Sequence, residues 1–197
     1  MEDLYRLDPE QLEKRLLDKV GDGTWPPVHR AAALAKEKHA GQQRKDGSDF
    51  VGHPMRTALL LLEVGGVQDP NMLCAALLHD VVEDTDLSCD DLLGEFGSKV
   101  SDLVRALTLE PYQEGEDKSA RDVAHFEHLA WEGRDPQLLR TADRLDNIRT
   151  LSADMPAERR EAYLRDTRKH LLPLTLASNT GLYHALNLAL ADQGCPE

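Results

Sequence analysis

Apolar residues recur along this chain every three to four positions, in stretches closed off by Pro, Gly and Asp. That rhythm is the helical one. Asp8-Pro9 reads as an N-cap followed by a first-turn proline and opens a helix over 8–20. A break over 21–25 precedes a second helix, started by Pro26-Pro27 and ending near 39–41. Residues 41–53, GQQRKDGSDFVGH, are polar and glycine-bearing and form a long loop. Pro54 begins a helix to residue 62, stopped by Gly65-Gly66. Asp69-Pro70 opens a further one carrying MLCAALLHDVVEDT, apolar on nearly every side until its last turn. Such a helix is usually central and buried. Two short helices over 88–96 and 98–107 are split by Gly97, and a second loop covers 109–117. Helices follow over 118–132, 135–153, 156–171 and 180–192. No repeat or domain boundary interrupts the pattern, so residues 1–197 read as one all-α bundle of about nine helices.

Composition supports the helical reading. The chain holds 33 Leu and 20 Ala but only 10 Val and one Ile, Ile148. Strands favour β-branched residues, whereas Leu and Ala favour helices, so a sheet protein is nearly excluded. At 197 residues the chain suffices for one domain. The net charge of −13 argues against a general nucleic-acid or anionic-membrane binder, which needs a basic face. The longest apolar run, 72–78, is far short of a membrane span, and the acidic N-terminus lacks a signal-peptide core. Cys74, Cys89 and Cys195 are odd in number and fit no zinc spacing, so they read as reduced thiols of a cytoplasmic protein.

One segment conflicts with its own helix. The greasy stretch from residue 72 ends in His79, Asp80, Glu83 and Asp84. Carboxylates at a helix C-terminus face the negative end of the dipole, and crowding them is costly unless they bind a cation. His79 and Glu83 are four apart, as are Asp80 and Asp84, so each pair lies on one helical face. Further candidate ligands are His53, between a glycine-bearing loop and the rigid helix start at Pro54, and Asp143, set among apolar Leu139, Leu145 and Ile148. A His, His, Asp, Asp set of mixed nitrogen and oxygen donors suits Mn²⁺, Fe²⁺ or Zn²⁺ better than Mg²⁺ or Ca²⁺. In so acidic a protein an anionic ligand needs a local basic cluster, for which Arg44, Lys45, Arg140, Arg144 and Arg149 are candidates. His39 reads as a packing or loop-capping residue.

At these residues the sequence resembles the HD phosphohydrolase superfamily, and more closely the alarmone-hydrolase domain of RelA/SpoT homologues. The blocks are HAGQQRKDGSDFVGHP (39–54), AALLHDVVEDT (75–85), FGSKVSDLVRALT (96–108) and ADRLDNIRTL (142–151). They span about residues 26–155, with the helices over 8–20 and 156–192 packed on that core. The resemblance implies an HD-type helical bundle with a metal, usually Mn²⁺, held by His53, His79, Asp80 and Asp143. It implies Glu83 and Asp84 as the pair that positions and deprotonates water. Arg44 and Lys45 would lie against the nucleotide and Asn147 would face sugar and phosphate. Arg140 and Arg144, four apart on one helix face near Asp143, are candidate substrate contacts from charge and spacing. The implied reaction is (p)ppGpp 3′-pyrophosphohydrolysis, leaving GDP or GTP. Similar proteins often have His at Asp146, Ser at Asp46 and Lys at Arg140. Only 46 residues follow Leu151, so the chain is expected to be a stand-alone small alarmone hydrolase. Alternatives are the same chemistry on adenosine alarmones or NADPH, and a non-catalytic HD module that senses a nucleotide.

Overall fold

The computed structural model describes residues 2–21, 26–111 and 113–195. It is all-helical, apart from one isolated antiparallel bridge between Gln43 and Asp49. The break expected over 21–25 lies, beyond Gly21, outside the described residues, as does Tyr112 of the expected 109–117 loop. The chain divides into two compact units, Met1–Leu109 and Glu110–Glu197.

The first unit holds α1 (Pro9–Val20), α2 (Pro26–Lys38), α3 (Gly52–Glu63), α4 (Pro70–Leu78), α5 (Val81–Asp84), α6 (Cys89–Phe96) and α7 (Ser98–Leu107). Asp8 caps α1 in a reciprocal box with Gln11, and Asp69 caps α4 by accepting from the Asn71 N–H at 2.9 Å. Caps of this kind contribute about 1 kcal/mol each. α4 is the central element, packed against α2, α3 and α7. Met72, Leu73, Leu77 and Leu78 are all buried there, as its apolar sequence demands. α3 is buried along most of its length and begins at Gly52, one turn fraction before the proline expected to start it.

The helix expected to run unbroken through 70–85 is divided. α4 ends at Leu78, His79 and Asp80 make a turn, and α5 is a single turn. The cause is local. The His79 Nδ1–H donates to the Ala76 carbonyl at 2.8 Å, the acceptor that a continuous helix would give to Asp80 N–H. Asp80 then relaxes to φ −96°, ψ −9°, flatter than helix. Glu83 and Asp84 therefore lie beyond a break, and the dipole penalty expected of a helix C-terminus does not apply to them in that form.

The second unit holds α8 (Lys118–Leu129), α9 (Arg134–Arg149), α10 (Ala157–Asp166), α11 (Leu172–Ser178) and α12 (Thr180–Asp192). α9 packs on α11 and α12, and α8 on α10. A π-helical turn, Thr167–Leu171, joins α10 to α11 and carries the helix expected over 156–171 onward to Ser178. Pro173, which has no N–H to give, sits in the first turn of α11, where the register changes.

Candidate metal centre

Three donors converge in the first unit. His53 sits at the start of α3, where the loop before it and Pro54 after it fix its backbone. His79 caps the end of α4 and Asp80 begins α5. The His53 and His79 Nε2 atoms lie 3.2 Å apart. Asp80 Oδ2 is 3.4 Å from His53 Nε2, and Oδ1 is 3.2 Å from His79 Nε2. Ligand atoms of the three residues all fall within 4.8 Å of one another. Both imidazoles are buried, whereas Asp80 is half-exposed, so the cluster is walled on one side and reachable on the other.

The chemistry of this donor set fits a divalent ion. With its Nδ1 hydrogen committed to Ala76 O, neutral His79 presents an Nε2 lone pair towards the cluster. A backbone carbonyl fixing the tautomer is the usual support of a metal-binding histidine. Two facing imidazole nitrogens beside a carboxylate form an electron-rich set that a cation between them would satisfy.

The carboxylates that follow are placed differently from each other. Glu83 Oε1 accepts the Leu109 N–H at 2.7 Å, just beyond α7. Asp84 is exposed at its surface, yet the buried part of its environment, followed by the Asp80 charge, raises its pKa above the ordinary carboxylate range. His39, His79 and His53 pull it the other way. Its carbonyl accepts from Gln42 Nε2 at 3.3 Å.

Arg44 and Lys45 ride on a small hairpin closed by the Arg44 N–H to Ser48 O bond of 2.8 Å and the bridge at Gln43 and Asp49. Asp46, expected as an added negative charge beside these cations, binds the backbone and hydroxyl of Ser48 at 3.0 and 2.6 Å. Those bonds lower its pKa and make it the hinge of the turn.

In the second unit, Asp143 is buried on α9 and held at both oxygens. Arg140 Nη1 donates to Oδ2 at 2.8 Å and Asn147 Nδ2 donates to Oδ1 at 2.6 Å, from one turn before and one turn after. Arg140 Nε also donates to His125 Nε2 at 3.0 Å, so that ring is neutral there; burial, then the Arg140 charge, push its pKa down to about 3. Arg144, expected as a phosphate contact, is buried with its guanidinium 4.0 Å from the Tyr163 ring centroid and 4.9 Å from that of Phe126. Asp122 pairs with it at 3.4 Å. Arg149 lies 3.8 Å from Asp192.

Two residues were not legible as site neighbours. Gln42 carried no periodic or charge signal. Leu109 enters only through its backbone, which no side-chain pattern reports.

Among the described residues, this all-helical chain thus brings two buried imidazoles and a half-exposed carboxylate together as a candidate metal-binding set. Comparison with known proteins narrows this. Residues 31–174 match the family model described as HD domain, and the chain belongs to that family. It is 38% identical over 132 residues to guanosine-3′,5′-bis(diphosphate) 3′-pyrophosphohydrolase MESH1 of Drosophila melanogaster, covering 64% of this chain and 72% of that one. It is 36% identical over 149 residues to guanosine-3′,5′-bis(diphosphate) 3′-pyrophosphohydrolase of Aquifex aeolicus, covering 75% of this chain and 21% of that protein. The GTP pyrophosphokinase of Streptomyces coelicolor is 35% identical over 178 residues, 88% of this chain and 20% of its own. The chain thus spans about a fifth of the length of these two bacterial relatives. A solved structure described as a metazoan ortholog of SpoT that hydrolyzes ppGpp superposes with a TM-score of 0.75 at 28% identity. That match covers 86% of this chain and 97% of the other. No helix among the described residues is long and apolar enough to cross a membrane.

Proposed function

We propose that this chain is a Mn²⁺-dependent enzyme that removes the 3′-pyrophosphate of guanosine tetra- and pentaphosphate. The observation that carries this reading is the convergence of His53, His79 and Asp80, in a chain that aligns with 72% of a relative named for that reaction. We assign Asp143 as the fourth ligand, on the family motif and on the double anchoring of its carboxylate by Arg140 and Asn147. A divalent ion held by such a set lowers the pKa of a coordinated water and offsets charge on a phosphate ester.

The remaining roles belong to the protein's own side chains. Glu83, tied to Leu109 N–H, orients the water. Asp84 accepts its proton as the water oxygen bonds to the phosphorus carried on the ribose 3′ oxygen. The bond from that phosphorus to the 3′ oxygen breaks, and the 3′ oxygen takes up a proton. GDP or GTP leaves with pyrophosphate. Arg44 and Lys45 bind the nucleotide. Arg140 and Asn147 act by holding Asp143, and we assign Arg144 to the packing of α8, α9 and α10, where Tyr163, Phe126 and Asp122 enclose it. The three free cysteines suit a reducing compartment, so we assign the protein to the cytoplasm.

The test is incubation with Mn²⁺ and a panel of ppGpp, pppGpp, ppApp, pppApp, NADPH and NTPs, with products resolved by anion exchange. GDP or GTP plus pyrophosphate, absent with His79→Ala, is the expected result. Preferred turnover of ppApp, or of NADPH, would move the substrate and keep the class. A protein that holds Mn²⁺ and turns over none of them would overturn the reading in favour of a binding module.

A further inference from the structure

His39 and Gln42 form a connected pair beside the centre that the reaction scheme leaves unused. His39 follows α2 and is 2% exposed. Its Nδ1 lies 2.8 Å from Gln42 Oε1. The amide oxygen is an acceptor only, so Nδ1 carries the hydrogen and donates. That leaves the other end of the Gln42 amide, Nε2, to donate to Asp84 O at 3.3 Å. The acceptor is a carbonyl in the last turn of α5, one of the groups a helix end leaves without an intrahelical donor.

The same two residues hold the cationic hairpin. Gln42 O accepts the Phe50 N–H at 3.0 Å, directly outside the bridge between Gln43 and Asp49. Phe50 packs on the His39 ring at 4.7 Å between centroids, and its other side meets His53 at 5.8 Å. His39 and Gln42 therefore contact the Arg44–Lys45 hairpin and the α5 carbonyl end, and Phe50 carries the contact on to His53.

We propose that His39 and Gln42 are positioning residues that lock the nucleotide-binding hairpin to Asp84, so that the cations and the proton acceptor keep one fixed separation. This rests on the roles given above to Arg44, Lys45 and Asp84. A fixed separation matters because a proton acceptor displaced by about 1 Å costs on the order of 100-fold in rate. Gln42 is half-buried, and His39 Nδ1 acts through it rather than on any reacting atom.

The experiment compares Gln42→Leu, Gln42→Glu and His39→Asn with wild type. Gln42→Leu loses both side-chain bonds. Gln42→Glu keeps an acceptor for His39 and loses the donor to Asp84 O. His39→Asn offers an amide N–H close to the place of Nδ1. Two readouts are taken. Backbone amide exchange is followed at Arg44, Gly47 and Asp84, and kcat and KM for ppGpp are measured beside Mn²⁺ stoichiometry. Gln42→Leu is expected to speed exchange about 10-fold at hairpin and Asp84 amides together, and to lower kcat 10- to 100-fold with Mn²⁺ binding kept. Gln42→Glu is expected to free Asp84 more than the hairpin. His39→Asn is expected to restore most of both. Exchange that rises in the hairpin while Asp84 is unchanged would overturn the proposal, as would unchanged kcat with a raised KM. A wild-type protein that turns over no alarmone refutes the function alone, and the exchange measurement still decides the coupling.

Discussion

Replacing Arg140 with methionine isolates the interaction that holds Asp143. The methionine keeps most of the apolar stem and removes the guanidinium. The bonds lost include Nη1 to Asp143 Oδ2 at 2.8 Å and Nε to His125 Nε2 at 3.0 Å. The ion pair is sheltered, with side chains 11% and 5% exposed. Its rupture is costly mainly because a buried carboxylate loses its countercharge, about 3–5 kcal/mol for one-sided removal. The bond to neutral His125 adds about 1 kcal/mol. Asn147 still donates to the other oxygen, so the lower part of the range applies, about 4 kcal/mol in total. For a chain of this size that corresponds to a fall of roughly 10 °C in Tm. Urea unfolding is the assay, run in EDTA so that metal binding adds nothing to the native state. The cycle is closed with Asp143→Asn and the double variant. The double variant should recover at least about 2 kcal/mol, because no buried charge is then left unpaired. A loss below about 1 kcal/mol for Arg140→Met, or additive single effects, would refute the reasoning.

Three further outcomes are expected. His79→Ala should abolish stoichiometric Mn²⁺ binding and the thermal shift it produces, because it removes the donor whose tautomer is set by Ala76 O; retained stoichiometry by elemental analysis would contradict the centre. His125 is neutral in the native state with a pKa of about 3 against an ordinary 6.5, so protons bind preferentially to the unfolded chain. The stability it contributes is complete above about pH 6.5 and is lost as pH falls towards 3, by about 5 kcal/mol, and urea midpoints of wild type and His125→Gln in EDTA should converge or cross across that window. Leu78→Ala, at a fully buried site at the end of α4, should cost about 3 kcal/mol with native helical circular dichroism retained; a cost under 1 kcal/mol would show that α4 is not the packed centre of its unit.

How much was legible follows from what each residue depends on. Helix positions depend on local chemistry, and the caps at Asp8 and Asp69 and the prolines after them mark their helix starts in the structure. The buried character of α4 followed from an apolar face that goes all the way round. His53, His79 and Asp80 could be picked out as candidate donors because imidazole and carboxylate crowded at the end of an apolar helix are costly unless a cation is shared, and the structure brings their ligand atoms within 4.8 Å of one another. The split of the 70–85 helix was not legible, since it comes from a ring hydrogen competing for Ala76 O, a choice made only once the ring is packed. The same holds for Arg144. An arginine in a helix reads as a surface charge until Tyr163, Phe126 and Asp122 close around it. Pattern along the chain thus determined which segments are helical, which faces are apolar and which donors are available. Tertiary structure alone decided which polar atoms pair, because a hydrogen bond between residues 42 and 84, or 83 and 109, depends on packing that no local period encodes.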